Sequence, residues 1–261
     1  MFTGNWYYFD SINLSGKGRT VSYDVMVISA HPDDAEVQMG GTIALLTKQD
    51  KRVVLVDLCD GEPSDFAAPG VRAEQARRAA AHLGADRLFL NAQDRLITDT
   101  IHLRLAVARL IRIHRPAIVF ATTDACVHPD HAAVGSLVSA AVFYARLDHW
   151  DRVPGGEALG DTRPWAVERL FYPHCKMEPP WGRDFAFAVD VSSVYDRKRA
   201  ALAEYGSIFR IEEGHDRLLT LYEAEDAYVG RLFGVAYAEA FKSQSPLLVH
   251  SPTVFLPALH G

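Results

Sequence analysis

The chain has 261 residues, 49% of them hydrophobic, which is enough to bury one large core and predicts a single α/β domain over residues 1–261. Asp and Glu outnumber Lys and Arg by 33 to 27, and the formal net charge of −6 leaves no basic footprint for nucleic acid or an anionic membrane surface. A small solute is the expected partner.

The cysteines Cys59, Cys126 and Cys175 are odd in number, scattered and outside any CxxC pair, which fits a reducing compartment better than a disulfide framework. No apolar segment follows a basic start, and no window is long and apolar enough to span a membrane. These features predict a soluble, cytoplasmic protein. The first twenty residues fit no alternation and read as a hairpin or arm, so 1–23 is taken as an N-terminal extension of a core over about 24–248.

From Asp24 the pattern alternates. DVMVISA reads as a strand, followed by a helix from about Val37 to Gln49, the strand RVVLVDL and a helix from about Val71 to Leu83. RLFLN, a helix over Ile101 to His114, AIVFATT and a helix over Ala132 to Tyr144 continue it, with Ala133, Leu137, Val138 and Ala141 at helical spacing in the last. Four such units predict a Rossmann-like, doubly wound and mostly parallel sheet. The stretch from Leu147 to Trp165 is rich in Gly, Pro and charge and reads as an exposed loop. VERLFYP and FAFAVDV read as further strands, and helices are expected around Val194 to Tyr205 and Asp216 to Lys242.

Two polar clusters interrupt this pattern. AHPDDAE, Ala30 to Glu36, ends the first strand, and VHPDHAAVG follows the fourth. Taken singly, each is a turn with a helix cap: Pro and Asp form turns, and Asp130 suits the start of the Ala132 helix. Taken together they suggest more. Right-handed crossovers place strands 1 and 4 side by side, and such sheets bind ligands outside the carboxyl ends where strand order reverses. Both clusters should then open into one crevice. Two imidazoles and a carboxylate around a divalent ion, with a position left for water, make a common catalytic zinc sphere. His31 with the second acid of one motif and the second histidine of the other would leave Asp33 and His128 to move protons, although spacing alone does not assign these roles.

AHPDDAEVQMGGT together with VHPDHAAVG resembles the PIG-L/LmbE-like family of zinc-dependent deacetylases, which act on N-acetylglucosamine-containing compounds. The resemblance spans roughly Asp24 to Leu248 and implies an LmbE-like fold and a hydrolase of a linear amide bond. It implies His31, Asp34 and His131 as ligands of Zn2+ or another divalent ion such as Fe2+. Asp33 would be the general base, and His128 the general acid or the electrostatic partner of the oxyanion. VRAEQARRAA resembles a segment whose arginine contacts substrate, here Arg72, and AQDR a segment whose acid binds sugar hydroxyls, here Asp94. The residues also allow plainer roles: Arg72 pairing with acids on a helix face, and Asp94 capping the next segment.

The tail RLFGVAYAEAFKSQSPLLV resembles the deacetylases that act on N-acetylglucosaminyl-malate in bacillithiol synthesis. An acidic aglycone would need a cation, for which Arg72 or Arg95 is available. His174 and Lys176 either line the pocket or lie on a loop. Cys126 and Val127 stand where some relatives carry a tyrosine that helps hold the oxyanion. Relatives often form symmetric oligomers, so the resemblance allows a homo-oligomer.

Other readings stay open at this point. An amidase could cleave a larger acyl group from an amino-sugar thiol conjugate, or zinc could merely stabilise a sugar-binding protein. Dinucleotide binding lacks its glycine fingerprint and would set acids where a pyrophosphate belongs. Cys126 reads as a packing residue because no GxSxG element is present. Gly40 and Gly41 read as positions where a helix packs closely on the sheet, not as a phosphate-binding element.

Overall fold

The computed structural model describes residues 21–64, 67–122, 126–177, 184–211, 214, 217–248 and 251. The arm expected in the first twenty residues lies outside the described residues. The first half alternates as the pattern predicts: β1 (Val25–Ser29), α1 (Asp34–Lys48), β2 (Val53–Asp57), α2 (Val71–Leu83), β3 (Asp86–Phe89), α3 (Ile101–His114), β4 (Ile118–Ala121) and α4 (Pro129–Ala145). The second half supplies β5 (Arg169–Pro173), β6 (Phe187–Asp190), α5 (Tyr195–Ala203), α6 (Arg217–Leu232) and β7 (Ala238–Ser243).

The seven strands form one sheet in the order β3-β2-β1-β4-β5-β7-β6. The strands β1 to β5 are parallel, and β7 runs antiparallel to both β5 and β6. Every residue of β1 and β2 is buried, because helices cover both faces and leave no polar side to alternate with. One apolar cluster joins the sheet to α3 and α4 through Leu110, Ile111, Leu137 and Val138. The other joins it to α1, α2 and α5 through Ile43, Ala79, Leu83 and Leu202. Burying each large aliphatic side chain contributes about 1.5–3 kcal/mol, so these two layers carry most of the stability.

Three expectations are corrected. The single helix predicted over Asp216 to Lys242 is α6 followed by a reversal at Gly234, φ +76°, and then β7. The sequence AEAFK contains helix formers, yet its burial and its pairing with β5 and β6 decide for strand. The segment from Leu147 to Trp165 is not wholly exposed: it makes two 3-10 turns, and Leu159 packs against the α3 layer. Cys126 and Cys175 form a disulfide, which scattered spacing does not predict. Each follows one of two neighbouring strands, β4 and β5, so the fold brings together residues 49 positions apart.

The glycines do pack closely, but against Lys198 of α5 and Val191 before it, not against a strand of the sheet. A Cβ on Gly41 would lie 2.7 Å from the Val191 Cβ, and one on Gly40 3.1 Å from the Lys198 Cγ.

Candidate metal centre

Strands β1 and β4 pair directly, so the loops at their carboxyl ends meet where the strand order reverses. Asp33 sits at the N-cap of α1 but does not cap it: its φ is 107°, and its carboxylate makes no bond to the helix end. Its Oδ1 instead accepts from Arg72 Nη2 at 3.1 Å. A non-glycine residue at positive φ is uncommon and costs energy, which the Arg72 pair and the packed turn offset. Asp34 faces the other way. Its Oδ2 accepts from the His31 backbone N–H at 2.9 Å and lies 3.5 Å from His31 Nδ1, while its Oδ1 lies 3.0 Å from His131 Nε2.

At α4 the helix cap is His128 and not Asp130: the His128 Nδ1 accepts from the Asp130 backbone N–H at 3.2 Å. Asp130, the expected cap, instead accepts from His31 Nε2 at 3.0 Å and from the Arg95 backbone N–H at 2.9 Å. Asp94 Oδ1 lies 3.1 Å from the same His31 nitrogen, and its Oδ2 is 3.9 Å from Arg72 Nη1. The outer nitrogen of His31 is thus held by two buried carboxylates, and Nδ1 is turned toward Asp34 and the crevice.

Charge follows from this geometry. Burial opposes protonation of His31, but bonds to Asp34, Asp94 and Asp130 prevail and push it up to about 11. Burial likewise opposes the charge on His131, and Asp34 raises it. Asp34 would be raised by burial alone, yet His131 and His31 hold it well below the usual carboxylate range. Asp33 is raised to about 6, with burial prevailing over the Arg72 cation. His128 is lowered by burial and by the neighbouring His131 and His31.

A divalent cation fits this donor set. Asp34 faces two imidazoles, the excess of carboxylate demands positive charge, and the His31 side chain is oriented from behind in the carboxylate–histidine manner of metal sites. His128 is also near, since ligand nitrogens of His31, His128 and His131 lie within 4.8 Å of one another.

The crevice is a cavity of about 180 Å³ lined by His31, Asp33, Asp34, Arg72, His128 and His131. Asp94 does not line it; it stands behind His31. Lys176 does line it, with Nζ paired to Asp226, so the pocket reading of Lys176 is the one observed. His174 is buried beside Phe185, with ring centroids 5.6 Å apart, and the Arg95 side chain is exposed. Gln38 and Tyr222 also line the cavity, and the sequence reading missed both. Tyr222 arrives on α6, far along the chain, whereas Gln38 lies one turn beyond Asp34, where the helical repeat could have flagged it.

A doubly wound sheet with a His/Asp cluster at its switch point defines a class of α/β proteins that can hold a metal ion there. The family model described as GlcNAc-PI de-N-acetylase (PIG-L) matches residues 26–142, and the chain belongs to this family. A conserved protein of Thermus thermophilus has a solved structure that is 33% identical, covering 87% of this chain and 97% of that one, at a TM-score of 0.74. Diacetylchitobiose deacetylase of Thermococcus kodakarensis is 28% identical, covering 87% of this chain and 85% of that protein. The 4-oxalmesaconate hydratase of Pseudomonas putida is 27% identical over 70% of this chain and 73% of that protein. No helix among the described residues is long and apolar enough to cross a membrane.

Proposed function

We propose that the protein is a metal-dependent hydrolase that removes the N-acetyl group from a small N-acetylglucosamine-containing molecule, with His31, Asp34 and His131 as metal ligands. The observation that carries this reading is the division of labour between the adjacent acids: Asp34 faces two imidazoles, while Asp33 stands beside them on Arg72. Zn2+ or Fe2+ at this position supplies Lewis acidity, which makes water acidic and polarises the amide carbonyl.

Asp33, raised toward neutrality at about 6, takes a proton from the attacking water. Arg72 fixes the carboxylate and keeps it ionised. His128, whose Nδ1 accepts from the Asp130 backbone N–H, carries its proton on Nε2 and donates it as a hydrogen bond to the developing oxyanion, while the proton held by Asp33 passes to the departing amine. Arg72 lines the cavity, and its guanidinium is available there as a cation for a polar substrate group. Asp94 supports His31 from behind, which favours a positioning role for it over direct sugar contact.

Malate as the aglycone remains part of this proposal, with Arg72 as a cation lining the cavity. Solution as a homo-oligomer and residence in the cytoplasm complete the reading. The test is incubation of the metal-loaded protein with a panel of N-acetylglucosaminides, free N-acetylglucosamine, longer N-acyl amino sugars and an unsaturated tricarboxylate. Acetate release from an N-acetylglucosaminide supports the reading. Release of a larger acyl group, hydration of the tricarboxylate, or binding without turnover each replaces it.

A further inference from the structure

The outer nitrogen of a metal-binding histidine ordinarily donates to a carboxylate, a carbonyl or water. His31 follows that rule and His131 does not. Its Nδ1 faces the Cys126 sulfur at 3.3 Å, and Cys175 lies directly behind, with the two cysteine Cα atoms 5.9 Å apart. Ligand atoms of Cys126, His131 and Cys175 fall within 4.8 Å of one another. The arrangement is built into the fold, because both cysteines extend from the carboxyl ends of the paired strands β4 and β5. Cys175 and His131 are buried and Cys126 is half-buried.

We propose that, once the Cys126–Cys175 disulfide is reduced, these two thiolates and His131 Nδ1 form a second metal site for a soft divalent ion, one that competes with the first site for His131. Two sulfurs and an imidazole match the preference of Zn2+, Cd2+ and Co2+ for soft, near-tetrahedral donors. An external dithiol opens the S–S bond by exchange, giving two thiols here and a disulfide on the reductant. Binding of the ion then releases the two thiol protons. The Nδ1 lone pair is available in the tautomer that carries its proton on Nε2, where Asp34 Oδ1 stands 3.0 Å away to accept it. In that state Nε2 is no longer a ligand for the first site, so filling the thiolate site removes one of its three ligands. The disulfide closes the thiolate site and returns His131.

Cobalt titration of the full chain reads the ligand atoms directly and does not depend on any reaction, so it stands apart from the hydrolase reading. The protein is reduced with excess dithiol, desalted without oxygen, shown by thiol titration to carry 3 free thiols, and titrated with Co2+. A near-ultraviolet thiolate-to-cobalt charge-transfer band is expected in the reduced protein and not in the oxidised one. Cys175→Ser and Cys126→Ser, checked by circular dichroism, should each lose it under reducing conditions. Absence of the band from the reduced wild-type chain overturns the proposal. So does a band of undiminished intensity in either variant, since the proposed site needs both sulfurs.

Discussion

Asp130 offers the sharpest test of how the metal centre is supported. Its carboxylate is buried and accepts from His31 Nε2 at 3.0 Å, while Asp94 Oδ1 stands 3.1 Å from the same nitrogen. That nitrogen carries one proton, so the two acids share one donor. A hydrogen bond to a charged group contributes about 1.5–3 kcal/mol, and the shared bond divides this between two acceptors. With Asp130→Asn, Asp94 takes over most of the bond. The expected loss in metal affinity is then only about threefold, or about 0.65 kcal/mol. Asp94→Asn should behave similarly. The double variant has no carboxylate left behind His31, and its loss should approach 100-fold, well beyond the roughly tenfold product of the two single losses. Competition with a chelating zinc indicator at fixed pH measures all four proteins. Unchanged affinity in the double variant would refute the supporting role, and a full loss already in Asp130→Asn would refute the sharing.

Asp33→Asn should retain the metal and lose about 10²–10⁴-fold in turnover, read by acetate release alongside metal analysis. Arg87 is bidentate to Asp57, through Nε at 2.6 Å and Nη2 at 3.0 Å, and also pairs with Glu36. Arg87→Met strands two fully buried carboxylates and should cost about 3–5 kcal/mol in urea denaturation. Glu225 is raised to about 7 because burial outweighs the pull of Lys176. A raised acid binds more protons folded than unfolded, so its contribution is complete below the unfolded value and fades as pH rises through about 7. Glu225→Gln should therefore gain stability over wild type at pH 8 but not at pH 4, and denaturation midpoints at the two pH values check this.

The parallel half of the sheet was legible because its strands are short β-branched runs and its helices repeat at 3.6 residues. The limits of α2 and α3 fall where the pattern puts them, since Gly84 and Thr100 are local end signals. The meeting of AHPDDAE and VHPDHAAVG was legible from topology alone, through the adjacency of β1 and β4. What stayed hidden depends on partners distant in sequence. Asp130 reads locally as a cap, and only the crossing of His31 reveals its other use. Cys126 and Cys175 look unrelated until β4 and β5 lie side by side. Lys198, Asp226 and Glu239 look like surface charges on helices, and all three are fully buried.

Those last three residues explain how the half of the chain beyond the family match positions the site. Helix α1 is broken at Met39, with φ −150° and ψ 25°, so the short turn carrying Asp34 can aim at the metal centre while the remainder packs on the sheet. A break exposes backbone N–H groups that must be satisfied. Glu239 on β7 accepts them, from Gly41 at 2.9 Å and Thr42 at 2.7 Å, and the Thr42 hydroxyl adds a third bond at 2.6 Å. A buried carboxylate needs a counter-charge. Lys198 Nζ supplies it, 2.7 Å from Glu239 and 2.7 Å from Asp226. Asp226 in turn holds Lys176, which lines the cavity. A continuous chain of buried charge therefore runs from the break in α1 to Lys176 in the lining of the crevice, tying both to the same C-terminal elements.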